Sequence, residues 1–139
     1  GADYAHDTVA NAKALAAALA AEGFDVLAED RGYTASHQVL TRHGPKDSGA
    51  GRDAAALLEK AGIVTNMNML PGDTKAMSPS GLRLGTQELT RHGMGPSEME
   101  EVAAIYRRVL IDQEDPNVVR TAVRELRSGF RDVRYCFEA

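Results

Sequence analysis

The sequence predicts a small α/β (α+β) domain with two layers: a mainly antiparallel sheet of three to four strands, and helices packed on one face of it. Three observations predict this. Apolar residues recur at three- and four-residue spacing in long segments near both ends of the chain. Short runs of Val, Leu and Ile lie between them, bounded by glycines and polar turns. The connections are mostly short, which suits antiparallel neighbours with helices on one side.

The first helix is marked by Val9, Ala12, Leu15, Ala16 and Leu19, with Asp7 or Thr8 as a cap and Gly23 as the stop. It is rich in Ala, so its propensity is high and the area it buries per residue is small. Asp3 to His6 can extend it towards the N-terminus. Phe24 to Leu27 reads as a short strand, residues 29–36 as a polar loop and His37 to Thr41 as a second strand. Residues 42–51 hold Gly44, Pro45, Ser48, Gly49 and Gly51 and form a loop. Arg52 to Ala61 is a helix stopped by Gly62, and Ile63 to Thr65 is a third strand candidate. Residues 66–80 read as irregular, broken by Pro71, Gly72 and Pro79. In Gly81 to Thr86, Leu82 and Leu84 alternate around Arg83, the period of a strand buried on one face.

The next helix starts either at Pro96, as a first-turn proline, or from Ser97 boxed with Glu100. Its apolar face is Met99, Val102, Ala103, Tyr106, Val109 and Leu110. A last helix covers residues 116–127 with Val118, Ala122 and Leu126 as its stripe, and Gly129 ends it. Val133, Tyr135 and Phe137 alternate in the tail, a strand period that an unpartnered extended or disordered end would also show.

The chain has 139 residues and a formal charge of −4, enough length for one core without disulfides. That balance, and the lack of Trp, disfavour nucleic acid and anionic membranes as partners. Arg120, Arg124, Arg127, Arg131 and Arg134 would share a face if one helix ran through them, but Gly129 interrupts it, so a solvated face is expected rather than an RNA site. A lone Cys136 excludes an internal disulfide and a multi-cysteine zinc site. No run approaches the ~20 apolar residues of a bilayer span, and no signal peptide is visible. A soluble, cytoplasmic protein is expected.

Arg83 is the foremost candidate for chemistry. Its fork matches a carboxylate with two parallel hydrogen bonds, and Gly81 and Gly85 leave room for a ligand. The competing reading is a strand arginine facing solvent. His6, His37, His43 and His92 lack a metal-ligand spacing. Ser36 next to His37 lacks a nucleophile elbow, and residues 44–51 lack a phosphate-loop ending.

Taken in order, the motifs resemble the C-terminal small domain of the serine hydroxymethyltransferase family of pyridoxal-phosphate (PLP) enzymes. The match runs through residues 9–16 and 22–26, Gly51-Arg-Asp-Ala54, residues 59–63, and Asn66-Met-Asn68 with Pro71 and Asp73. It is most specific at Ser80-Gly-Leu-Arg-Leu-Gly-Thr86, and continues through Leu89-Thr-Arg91, Gly93 and Glu98-Met99. The resemblance covers residues 4–112. It implies that residues 1–139 form a single domain, with the PLP-binding large domain absent from it. It implies that Arg83 binds the carboxylate of an amino-acid substrate: glycine, serine or a related β-hydroxy amino acid. Asn68 and His37 fall at positions near the folate or substrate. The family's Asp-x-His pair is half kept, because residue 35 is Ala. The segment from Asn68 to Arg83 is one residue shorter than the family pattern, and residues 76–79 replace its Ser-Pro-Phe run. Thr41-Arg42-His43 replaces its hydrophobic, acidic strand end. These departures argue against tetrahydrofolate and keep a folate-independent threonine transaldolase as the alternative.

PLP chemistry needs a Schiff-base lysine and an aspartate for the pyridinium nitrogen. Only Lys13, Lys46, Lys60 and Lys75 are present, and none has the family's Thr-rich, His-containing context. The expectation is therefore no catalytic residue and no cofactor site in this chain. PLP would be held by a large domain, in the same chain or a separate subunit, in an enzyme that resembles homodimers. A non-catalytic binding module remains the other class of reading.

Overall fold

The computed structural model describes residues 2–134, so Cys136 and most of the strand expected over Val133 to Phe137 lie outside the described residues; Val133 and Arg134 are described and are not in a strand. Helix α1, Ala2–Ala21, takes up the N-terminal extension and buries Thr8, Asn11, Ala12, Leu15, Ala16 and Leu19. Strand β1, Asp25–Val26, leads through a 3-10 turn at Glu29–Arg31 to β2, Gln38–Arg42. Helix α2 is Ala50–Lys60, β3 is Asn66–Asn68 and β4 is Gly81–Gly85. Helices α3, Gln87–Arg91, α4, Pro96–Leu110, and α5, Pro116–Ser128, complete the described chain.

The four strands form one sheet in the order β1-β2-β4-β3, antiparallel throughout. Ladder pairs assign the faces. Val39 opposite Leu84, and the row Val26, Thr41, Leu82 and Met67, point to one side. Val26, Val39, Thr41, Leu82 and Leu84 are buried there. Contacts of α1 with β1 and β2, and of α2 with β3 and β4, cover this inner face; α4 packs on α1 and α2, and α5 on α2 and α4. The other face carries Gln38, Leu40, Arg42, Asn66, Asn68 and Arg83. The expected α/β layering is the observed one.

Four local expectations change. The third strand lies at Asn66–Asn68, not Ile63–Thr65. Gly62, at φ +85°, turns the chain out of α2, the Ile63 N–H closes onto the Leu58 carbonyl, and Val64 stands 87% exposed. The segment meets β4 only at Asn66. Helix α3 was not expected, since Leu89 is its one large apolar residue. On α5, Val119 is fully buried while Val118 is 57% exposed, and Val123 and Leu126 pack on the core. The stripe is therefore one residue out of phase with Val118 and Ala122. Helix α4 starts at Pro96: the Glu98 carboxylate accepts from the Gly95 N–H at 2.7 Å, so Ser97 and Glu100 are not the box.

Strand β4 is tied down at both ends. Before it, the Asp73 carboxylate accepts from the Ser80 N–H at 2.9 Å, the Ser80 hydroxyl at 2.8 Å, the Leu70 N–H at 2.9 Å and the Asp47 N–H at 2.8 Å. The Asp47 carboxylate answers by accepting from the Thr74 N–H and hydroxyl, both at 2.7 Å, and the Lys75 N–H at 2.8 Å. After β4, the Thr86 hydroxyl donates to the Thr8 carbonyl at 2.8 Å, and the Thr90 hydroxyl to the Thr86 carbonyl at 2.7 Å. Asn11 Nδ2 then donates to Thr90 Oγ1 at 2.8 Å and to the Met94 carbonyl at 2.9 Å. Ser80 and Thr86 are both 0% exposed.

Two stability predictions follow from these ties. A Cβ on Gly51 would overlap the backbone of Gly81, where α2 enters against β4. In a free helix Gly→Ala would gain about 1 kcal/mol. Here the overlap is with backbone, which cannot swing aside, so Gly51→Ala should cost a net ~1–3 kcal/mol, seen as a lower urea midpoint at unchanged slope. The second concerns acid. Backbone N–H donors hold Asp73 well below the ordinary carboxylate value of 3.8, and the Thr74 hydroxyl and N–H do so for Asp47. A depressed folded pKa means the charged form binds tighter in the folded state. That stability is present above the unfolded value and drains away as pH falls below it towards the folded values. Thermal unfolding between pH 6 and pH 2 should show Asp73→Asn less stable at pH 6 and with a shallower acid slope. An unchanged slope would exclude Asp73 from the linkage.

Candidate functional site

The open face of the sheet is the candidate site, and β4 sets its geometry. Arg83 lies mid-strand between β2 and β3, opposite Leu40 on one side and Asn66 on the other. Directly opposed Cβ atoms sit about 4.5–5.5 Å apart, so Asn66 is the polar neighbour nearest Arg83 across the ladder. Asn68 is one same-face step away, opposite Gly81. The glycines at both ends of β4 do not leave the room that the sequence suggested: the Leu70 side chain fills the space over Gly81 and the Gln87 side chain that over Gly85. A Cβ on Gly81 would strike the Leu70 side chain, which lies over that end of the face.

The Arg83 side chain is half-buried, and among the described residues it makes no hydrogen bond or ion pair. Most other arginines near the sheet are engaged. Arg42 faces Asp25 at 3.7 Å, and Arg52 donates to the Met77 carbonyl at 3.0 Å. A partly desolvated guanidinium with five free donors is poised for an external planar anion.

The other sequence candidates separate. Asn68 reaches the site's edge, but its amide nitrogen donates to the Met69 carbonyl at 2.8 Å. His37 precedes β2, and its carbonyl accepts from the Thr86 N–H at 3.1 Å. That bond ties its backbone just past the far end of β4, three positions beyond Arg83. His6 lies 3.6 Å from Asp7, and His92 3.7 Å from Glu88. His43 Nε2 is 2.8 Å from Thr41 Oγ1, and burial holds its pKa below the usual imidazole value against a smaller opposing pull from Asp25. No group of three or more metal-ligating side chains occurs among the described residues. No helix there is long and apolar enough to cross a membrane. The arginine stripe is broken as expected: α5 stops at Ser128, and Arg120 donates to the Lys60 carbonyl at 3.4 Å. All four lysines are exposed.

Sequence reasoning missed Asn66 as the direct neighbour of Arg83, because the strand was placed three residues early. It also missed Asp47. The signal for Asp47 is a positive φ of 55° at a residue type that tolerates it, which no spacing rule reveals.

Comparison with known proteins places this arrangement. The serine hydroxymethyltransferase family model matches residues 2–106. A serine hydroxymethyltransferase of Thermoplasma acidophilum is 48% identical over 139 aligned residues, which is 99% of this chain and 32% of that protein. One from Thermococcus gammatolerans is 53% identical over 140, covering 99% and 33%. The crystal structure of an L-threonine transaldolase from Pseudomonas fluorescens superimposes with a TM-score of 0.81 at 32% identity, over 92% of this chain and 28% of that one. This chain therefore spans about a third of the length of the curated relatives it matches. With the family matched over most of its length and the Arg83 strand intact, the chain belongs to the serine hydroxymethyltransferase family.

Proposed function

We propose that this chain is the substrate-clamping domain of a larger PLP-dependent enzyme of the hydroxymethyltransferase type, acting on glycine, serine or a related β-hydroxy amino acid. The observation that carries the reading is Arg83: a half-buried guanidinium without a protein partner, held mid-strand on an open face. An amino-acid carboxylate fits its fork. The strand is tied at both ends, so the backbone from which the fork extends is fixed before the substrate arrives.

The described residues do not fit PLP itself. A cofactor lysine sits in a closed pocket with a carboxylate for the ring nitrogen. Lys13, Lys46, Lys60 and Lys75 all stand on exposed surface. On this reading the cofactor is held by a large domain, and this chain contributes the carboxylate grip and covers one side of the site. Homodimeric assembly and a cytoplasmic location belong to the same reading. So does a residual role for Asn68 and His37 near a second substrate. Asn68 uses one amide N–H on the Met69 carbonyl and keeps its other N–H and its oxygen for a ligand. Aldehyde exchange of the transaldolase kind is the second reading, supported by the fold match to that enzyme.

In the intact enzyme, Arg83→Ala should weaken the amino acid by about 10²–10³-fold, the loss of two hydrogen bonds to a charged group. Arg83→Lys should recover part of this, because it keeps the charge and loses the fork. Removing Arg83 breaks no internal bond, so circular dichroism and the unfolding midpoint should not move. Unchanged affinity in Arg83→Ala would end the assignment. Calorimetry of this chain alone with glycine, serine or threonine should show no measurable heat, because one arginine on an open face supplies little affinity. Tight binding there would favour a stand-alone module.

A further inference from the structure

We propose that Asp73, in reciprocal partnership with Asp47, is a positioning residue for Arg83: it sets where the guanidinium stands by locking together the two connections that meet at the entry to its strand. The inference rests on Arg83 as the carboxylate grip.

The geometry runs through a few bonds. Asp73 Oδ2 takes three donors, the Leu70 N–H and both the N–H and hydroxyl of Ser80. Ser80 is three residues before Arg83, and its carbonyl accepts from the His43 N–H at 2.9 Å, so the strand's entry is held from both sides. Leu70, drawn in by the same oxygen, lays its side chain over Gly81, the ladder partner of Asn68 on the Arg83 face. Asp73 Oδ1 takes the Asp47 N–H, and the Asp47 carboxylate takes three donors from Thr74 and Lys75. The chain leaving β2 and the chain entering β4 are thereby closed on each other at the Gly81 end of β4, two residues before Arg83.

Only a carboxylate satisfies this arrangement. Asp73 accepts four bonds with two oxygens. An amide offers one oxygen, and its NH₂ would face either the Asp47 N–H or the donors of Ser80 and Leu70. Asp73 also has no direct part in the apolar core, which is built by the helices and the inner sheet face. Its loss should therefore be felt where the outer face binds its ligand, as well as in stability.

The test is steady-state kinetics of the intact enzyme in four forms: wild type, Asp73→Asn, Arg83→Ala and the double variant, below the lowest unfolding midpoint. Asp73→Asn should raise KM for the amino acid about tenfold and change kcat much less, as a small displacement of a binding fork does. In the Arg83→Ala background the same substitution should leave KM where it is, because its effect passes through the missing side chain. An unchanged KM in Asp73→Asn, beside a raised KM in Arg83→Ala, overturns the positioning role and spares the grip. An equal rise in both backgrounds also overturns it, since Asp73 would then act without Arg83. If Arg83→Ala itself leaves KM unchanged, the grip fails and this inference with it. Should Asp73→Asn not fold, Ser80→Ala, which removes one of the four bonds, carries the same comparison.

Discussion

The structure depends on how strand β4 is held. A mid-strand cation with no protein partner is a poor stabiliser of its own surroundings, because its desolvation is not offset by an ion pair. The chain compensates on either side rather than at Arg83. Ser80 and Thr86, both without exposure, are bonded through side chain and backbone to segments distant in sequence: residues 43 and 73 at one end, residues 8 and 37 at the other. Each bond is of modest worth. Together they leave the strand few ways to shift without stranding a buried donor, and stranded donors are the expensive outcome.

The same logic explains the division of the sheet. Its inner face is closed by Val26, Val39, Leu82 and Leu84 against the helices, and that burial supplies the stability. Its outer face carries Arg83, Asn66 and Asn68, groups that stay solvated or wait for a partner. A strand's alternation keeps the two jobs apart within five residues, so Leu82 and Leu84 anchor the strand whose Arg83 faces the other way.

Much of this was legible from residue order, for identifiable reasons. The long helices carry strong periodic stripes, and β4 shows alternation bracketed by glycines. Arg83 stands out by its Leu and Gly neighbours, while its role as a carboxylate grip is what the family resemblance implies. Where legibility failed, the cause was a tertiary one. Ile63 to Thr65 has the β-branched look of a strand, yet the turn at Gly62 keeps it from the sheet, and the polar Asn66–Asn68 takes the place beside β4. A ladder position can be polar when its outward face serves a ligand, which inverts the usual propensity argument. On α5, Val118 and Val119 are equal candidates in sequence, and only the packing of α2 and α4 selects Val119. The Asp47–Asp73 pair joins residues 26 apart through backbone donors, which have no signature in residue type.

The fold and the chemistry also close at different scales. Among the described residues the core is self-sufficient: Leu15, Leu19, Leu58, Met99, Val109 and Val119 are all nearly or fully buried without any outside surface. The site is not. Among the described residues Arg83 has no anion beside it, and all four lysines are exposed. A domain built this way can fix the backbone that carries a guanidinium, because rigidity comes from its own buried bonds. On the proposed reading, the reacting groups that the guanidinium serves come from a large domain. Binding energy and bond-making would then fall to separate bodies of one enzyme. The interface between them would have to be the polar outer face, since the apolar inner face is already taken by α1 and α2.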